Sequence, residues 1–144
     1  RYIFEPTKYK RLETKEAITA QGGPKKAIEN IITYFNKLSK TYGFEVSNEN
    51  ALIDLGFDLL KIEDLKSHAL EAFKENLKAH PDSFNAYSLL GMAYEKLGYL
   101  HKAKDNYEIA LNMVMKTDDP EWEFYKADVV KIDKKIKAKT DNKN

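Results

Sequence analysis

Leu52-Ile53-Asp54-Leu55-Gly56-Phe57-Asp58-Leu59 and Tyr87-Ser88-Leu89-Leu90-Gly91-Met92-Ala93-Tyr94 have the same skeleton. In each, a large apolar residue is followed at the third place by Leu-Gly and three places later by another large apolar residue. Behind the first stand Ala69-x3-Phe73 and Pro81; behind the second stands Ala103-x3-Tyr107. Ala69 to Ala103 is 34 residues, as is Phe73 to Tyr107, while Leu55 to Leu90 is 35. The first copy therefore carries one extra residue between its two segments, near Ile62-Glu63-Asp64. Apolar residues at steps of 3 and 4 predict helices, so each copy is a helix–turn–helix unit. Gly91 and Ala103 leave room for two helices to cross closely, with Tyr87, Tyr94 and Tyr107 filling the space around them. Pro81 ends one unit and turns the chain into the next. Met115 stands where the second unit would have its closing proline.

The same periodicity extends on both sides. Pro24 after Gly22-Gly23 suits a first helical turn, and Ile28, Ile31, Phe35, Leu38 and Tyr42 form one face up to the stop at Gly43. That predicts a helix over 25–42. Ser47 is expected to cap the helix carrying Leu52 to Leu60, and Asp82 or Ser83 the one carrying Tyr87 to Tyr94. Gly98 stops that helix, and Leu100 to Val114 make the next. Asp119-Pro120-Glu121 reads as a helix start, followed by Trp122, Tyr125, Val129, Ile132 and Ile136 on one face. This predicts a capping helix over 120–136, lying on the helix that holds Ala103 to Val114. Residues 138–144 read as a polar tail. Residues 1–23 lack a sustained period and read as an extended or loosely helical lead-in. Phe44-Glu45-Val46 is the only short strand candidate, so the class is all-α.

These landmarks resemble the tetratricopeptide pattern, with units at about 49–83 and 84–117. The resemblance covers roughly half the chain. It implies a right-handed α-α superhelix of about two units with flanking N- and C-terminal helices, within a helical domain over 24–137. Two units alone would leave apolar faces open, and the flanking helices are placed to cover them. A wider stretch is also similar to the C-terminal tetratricopeptide region of bacterial α/β-hydrolase-type esterases. It runs Leu38-Ser39-Lys40-Thr41-Tyr42-Gly43-Phe44-Glu45-Val46, then Leu55-Gly56-Phe57-Asp58-Leu59-Leu60, then His80-Pro81-Asp82-Ser83. That resemblance implies a catalytic domain elsewhere, with residues 1–10 as its last piece. Arg1 is not a start residue, which fits the expectation of a longer protein.

The chain has 144 residues, no cysteine and a net charge of +1. Zero cysteine excludes a disulfide scaffold, a thiolate metal site and a cysteine nucleophile, and fits either side of a membrane. So small a net charge excludes strong whole-molecule steering toward nucleic acid. No apolar run approaches the ~20 residues needed to span a bilayer. There is no G-x-S-x-G elbow. Ser67 and His68 are neighbours on a helix and do not face each other. His68, His80 and His101 have no second histidine three or four places away, so no helical metal pair exists. Asp54 and Asp58 share a helix face and read as solvated, screened by Lys61. Gly22-Gly23-Pro24 is a turn rather than a phosphate loop. Six lysines against two aspartates in 131–144 read as a solvated helix end. Accordingly no catalytic, cofactor or metal residue is expected, and the chain should hydrolyse no ester by itself.

In the family that the repeat resembles, the first helix of each unit lines a concave groove. Residue-by-residue matching puts Asn50, Ile53, Phe57, Leu60 and Lys61 on that face in the first unit. In the second it puts Asn85, Ser88, Met92, Glu95 and Lys96 there. The Lys–Arg–Asn carboxylate clamp of some relatives is missing. Ile53, Phe57 and Met92 make the groove read as apolar with a polar rim. The expected partner is a protein or peptide, or an upstream domain of the same polypeptide; a homo-oligomer is compatible, nucleic acid is not. Tyr2, Ile3 and Phe4 are candidates for occupying the groove from within, as is the helix at 25–42.

Overall fold

The structure is a computed structural model and describes residues 9–142. Among them the chain is all-α, with no strand. Seven α-helices follow in order: α1 (Lys15–Ala20), α2 (Pro24–Tyr42), α3 (Glu49–Lys61), α4 (Ala69–Ala79), α5 (Phe84–Lys96), α6 (Leu100–Met115) and α7 (Trp122–Asp141). A 3₁₀ turn, Lys66–His68, precedes α4. The chain divides into two compact units, with the boundary between Ala72 and Phe73 inside α4.

In the first unit, the lead-in holds more structure than its composition suggests. Thr14 caps α1 by accepting the Ala17 N–H at 3.1 Å, and Ile18 is fully buried. A side-chain oxygen relieving an orphan N–H is enough to start a short helix once one apolar residue can dock. Gly22 and Gly23 then take φ of 101° and 99°, a region closed to most L residues, and deliver Pro24 to the first turn of α2. Ala27, Ile28, Ile31 and Phe35 are the buried stripe of α2; Leu52, Leu55 and Leu59 are that of α3.

Several starts and stops differ from the sequence reading. The cap of α3 is Asn48; Ser47 instead accepts the Glu49 N–H at 3.2 Å. Phe44-Glu45-Val46 forms no strand, because the Val46 N–H is taken by the Ser39 hydroxyl at 2.8 Å. The extra residue of the first repeat copy is absorbed in the turn from Ile62 to Leu65.

In the second unit, α5 and α6 are joined by the short link Leu97 to Tyr99, and their crossing is close. A Cβ built on Gly91 would stand 2.8 Å from Cδ1 of Tyr107 and 3.1 Å from the carbonyl oxygen of Ala103. Ala103, Tyr107, Ala110 and Val114 are buried along α6. Tyr125 packs on Ala110 and Val114, and Lys104 pairs with Asp133 at 2.8 Å, so α7 runs antiparallel to α6. Against α5 the pairs rise together: Phe84 with Tyr125, Ser88 with Asp128, Glu95 with Lys135. The first helix of the hairpin and α7 are therefore parallel neighbours. α7 begins at Trp122, not 120; Pro120 precedes it, and Asp119 accepts the Glu121 N–H at 2.8 Å. It also continues past 136 to Asp141, because Lys, Ala and Thr there supply no stop signal.

Candidate interaction surfaces

Each unit presents one cleft that includes residues expected to meet a partner. In the second unit the cleft opens between the parallel helices α5 and α7 and has a volume of about 390 Å³. Ser88, Met92, Glu95 and Lys96 line it from α5 at steps of 4, 3 and 1, with Asp128, Lys131 and Lys135 opposite on α7. Four of the five residues expected there are thus brought together; Asn85 is exposed and does not line it. The lining is mainly charged, with Met92 and Leu89 as its apolar part, so this part of the surface is not the apolar groove that the sequence suggested.

Glu95 organises the cleft. Its side chain is 14 % exposed and accepts the Tyr107 hydroxyl at 2.8 Å and the ammonium of Lys135. Burial works to raise its pKa, but the hydrogen bonds from Lys135 and Tyr107 outweigh that, and the net shift is downward. Burial, then the bond to Glu95, pushes the Tyr107 phenol well above its ordinary range. Asp128 moves the other way. It is half-buried, faces the Glu95 charge, and has only a long 3.5 Å contact from Ser88, so its pKa is raised, by burial first and by Glu95 second.

In the first unit, a cavity of about 140 Å³ lies between the lead-in, α2 and the start of α3. Tyr9, Leu12, Phe35 and Leu55 form its apolar wall, and Asn50, Asp54 and Arg11 its polar edge. Of the five residues expected on this unit's groove face, Asn50 alone borders the cavity. Ile53, Phe57 and Leu60 are half-buried, and Lys61 is exposed. The lead-in closes one side of the cavity and is fastened there. Arg11 Nε donates to Asp58 Oδ2 at 2.9 Å and Nη2 to Oδ1 at 2.8 Å, while Nη1 lies 3.8 Å from Asp54. Lys15 pairs with Asp64 at 2.6 Å, and the Tyr9 ring packs 5.5 Å from that of Phe35. Burial and then Tyr34 push the Tyr9 phenol up to about 12.

Asp54 and Asp58 are therefore not a solvated pair screened by Lys61. Asp58 is 4 % exposed and its partner is Arg11. Sequence reasoning missed Arg11, for which one signal existed. Of 24 basic residues only Arg1 and Arg11 are arginine, the residue whose planar fork suits a two-point grip on a buried carboxylate. The Tyr2, Ile3 and Phe4 candidates for self-occupation lie outside the described residues; the segment that covers the first unit's cavity is residues 9–12. Among the described residues no group of three His, Asp or Glu side chains is arranged to hold a metal ion, and no helix is long and apolar enough to cross a membrane. No protein-family model matches the chain, and no curated protein matches it in sequence.

Proposed function

We propose that this chain is a tetratricopeptide-type interaction module that binds a peptide segment and has no catalytic activity of its own. The observation that carries the reading is the cleft between α5 and α7. Ser88, Met92, Glu95 and Lys96, which the repeat pattern assigns to a groove, line one open space with α7 running parallel to α5 as its second wall. A parallel helix beside the first helix of a hairpin is also the arrangement that stacked helix pairs produce. The chemistry of the cleft favours a polar segment over a greasy one: fixed charges of both signs set register, and Met92 supplies an adaptable apolar contact. The test is selection of peptides on the purified chain, followed by an amide-shift titration. Shifts confined to α5 and α7, abolished by Met92→Asp, are the expected outcome. Binding that Met92→Asp leaves intact would remove the cleft from consideration.

A second reading, the accessory domain of a bacterial serine esterase, is favoured by the fastening of residues 9–15. Arg11, ahead of α1, and Lys15, its first residue, fasten this segment to Asp58 and Asp64, which suits a domain carried close by. An upstream reading frame with G-x-S-x-G among alternating strands and helices would support it. On either reading the chain alone turns over no chromogenic ester.

A further inference from the structure

We propose that the outer face of α7 is a self-complementary interface through which two copies of this chain associate with their α7 helices antiparallel. Tyr125 and Ile132 are buried on the inner side of this helix. On the opposite side, Glu123, Ala127, Val130 and Lys134 follow at steps of 4, 3 and 4, the spacing of a seam between two helices, and border one shallow open depression. Beside the seam, Phe124 is 74 % exposed, and Val130 within it is 44 % exposed. Phe124, Ala127 and Val130 together put an exposed apolar strip on a helix whose other side is core, rimmed by Glu123, Lys131 and Lys134.

Charge order selects the partner and its direction. The start of α7 and the turn before it are acidic, with Asp118, Asp119, Glu121 and Glu123, and its second half is basic, with Lys131, Lys134, Lys135, Lys137 and Lys139 against Asp133 and Asp141. Two copies side by side in parallel would set Glu123 on Glu123 and Lys134 on Lys134. Antiparallel, each acidic end meets the other's basic end. One register satisfies the whole seam: Ala127 faces Val130 of the second copy, Glu123 faces Lys134, and the Phe124 ring lies over the Lys131 stem. Neither Glu123 nor Lys134 makes an ion pair among the described residues, so both charges are available. Ala127 at the centre permits close approach. A surface that pairs with itself about a two-fold axis closes as a dimer. Its modest area makes that dimer weak and reversible. The inference goes beyond the peptide cleft and shares only Lys131 with it.

Sedimentation velocity on the full chain, from about 10 µM to about 1 mM, is the test suited to so small an interface. A monomer–dimer equilibrium is expected, lost in Ala127→Arg with the helical circular dichroism unchanged. Glu123→Lys should weaken association about tenfold, because the two-fold axis repeats the Glu123–Lys134 contact and both copies change together, and tenfold corresponds to roughly 1.4 kcal/mol for the two contacts. Glu123→Lys with Lys134→Glu should restore it. A monomer at every concentration, or a dimer that survives Ala127→Arg, overturns the interface. A dimer indifferent to Glu123→Lys, or not rescued by the double exchange, overturns the antiparallel register.

Discussion

α3 and α5 carry the same Leu-Gly landmark but differ in what lies beside it. On α3, the polar edge holds Asp54 and the buried Asp58, and an arginine from the lead-in hydrogen-bonds Asp58 at both oxygens and lies near Asp54. On α5, the equivalent stretch faces α7 across an open cleft, and its half-buried acid, Glu95, is satisfied by Tyr107 and Lys135. The first helix is thus closed by a strap from its own chain and the second stays accessible. The repeat supplies a scaffold on which polar residues outside the motif decide which face is free. The second helices differ too. Asn76 on α4 stands 34 residues before Ala110 on α6, and both are fully buried. Neither atom of the Asn76 amide has a hydrogen-bond partner among the described residues, whereas Ala110 has nothing to satisfy.

The largest effect should come where the landmark itself is challenged. Gly91→Leu must displace Tyr107, whose ring already lies within 2.8 Å of a Cβ at that position. Because Tyr107 is tied to Glu95, the clash cannot relax freely, and the loss should reach about 3 kcal/mol or more, the upper end for overpacking. A urea midpoint equal to the parent's would show that the α5–α6 crossing is looser than described.

Next is the strap. Arg11→Met leaves Asp58 buried without its cation. Breaking a buried pair costs about 3–5 kcal/mol, but Arg11 is 40 % exposed and water can partly replace it, so about 2 kcal/mol is expected. The comparison sharpens in a double-mutant cycle: Arg11→Met with Asp58→Leu should recover much of the loss, whereas two independent sites would add. Residues 9–12 should also become more open to proteolysis in the single variant.

Smaller, and of opposite sign, is Asn76→Ala. An unsatisfied buried amide costs about 1–3 kcal/mol, and a small cavity offsets part of the gain, so stability should rise by about 1 kcal/mol. Ala110→Asn should lower it. If Asn76→Ala is destabilising instead, the amide is bound to something and the difference between the two second helices disappears.

The helices were legible in the sequence because their signals are local. Ile28-x2-Ile31-x3-Phe35, Gly43 and Gly98 each act within a few residues, and Gly91 beside Ala103 announces a crossing by size alone. α1 was illegible because six residues with one apolar anchor show no period; only Thr14 hinted at it. The fastening of Arg11 to Asp58 joins residues 47 apart in sequence, and no spacing rule reports such a pair. Ser88, Met92, Glu95 and Lys96 were legible as one face of one helix. The opposite wall was not: Lys135 read as one lysine of a solvated helix end, and Asp128 carries no spacing signal that ties it to α5. Phe124 and Val130 gave no signal, because both fall off the stripe formed by Trp122, Tyr125, Val129, Ile132 and Ile136.

The smallest predicted effect concerns the two carboxylates of the open cleft, which should respond to pH in opposite senses. Glu95 has a lowered pKa, so its contribution is present above the unfolded value and is lost as pH falls through the folded one. Asp128 has a raised pKa, so ionising it is easier in the unfolded chain. Its charge therefore subtracts stability at neutral pH, and that deficit vanishes as pH falls below the ordinary aspartate value. The groups facing it are Glu95 and Lys96 on α5, Tyr107 on α6, and Lys131 and Lys135 on α7. The two acids repel each other, and Lys135 is already committed to Glu95. Asp128→Asn should thus stabilise the chain at pH 7, by on the order of a few tenths of a kcal/mol, since solvent screens a half-exposed group. The gain should shrink as pH falls through the folded value and vanish only about a unit below the ordinary aspartate value, where both states carry the proton. Glu95→Gln should show the reverse, a loss at pH 7 that fades on acidification. Denaturation midpoints for both variants across that range decide the matter. A destabilising Asp128→Asn at pH 7 would mean that a lysine of α7 swings over to neutralise Asp128, and that the cleft holds one fewer uncompensated carboxylate than its geometry suggests.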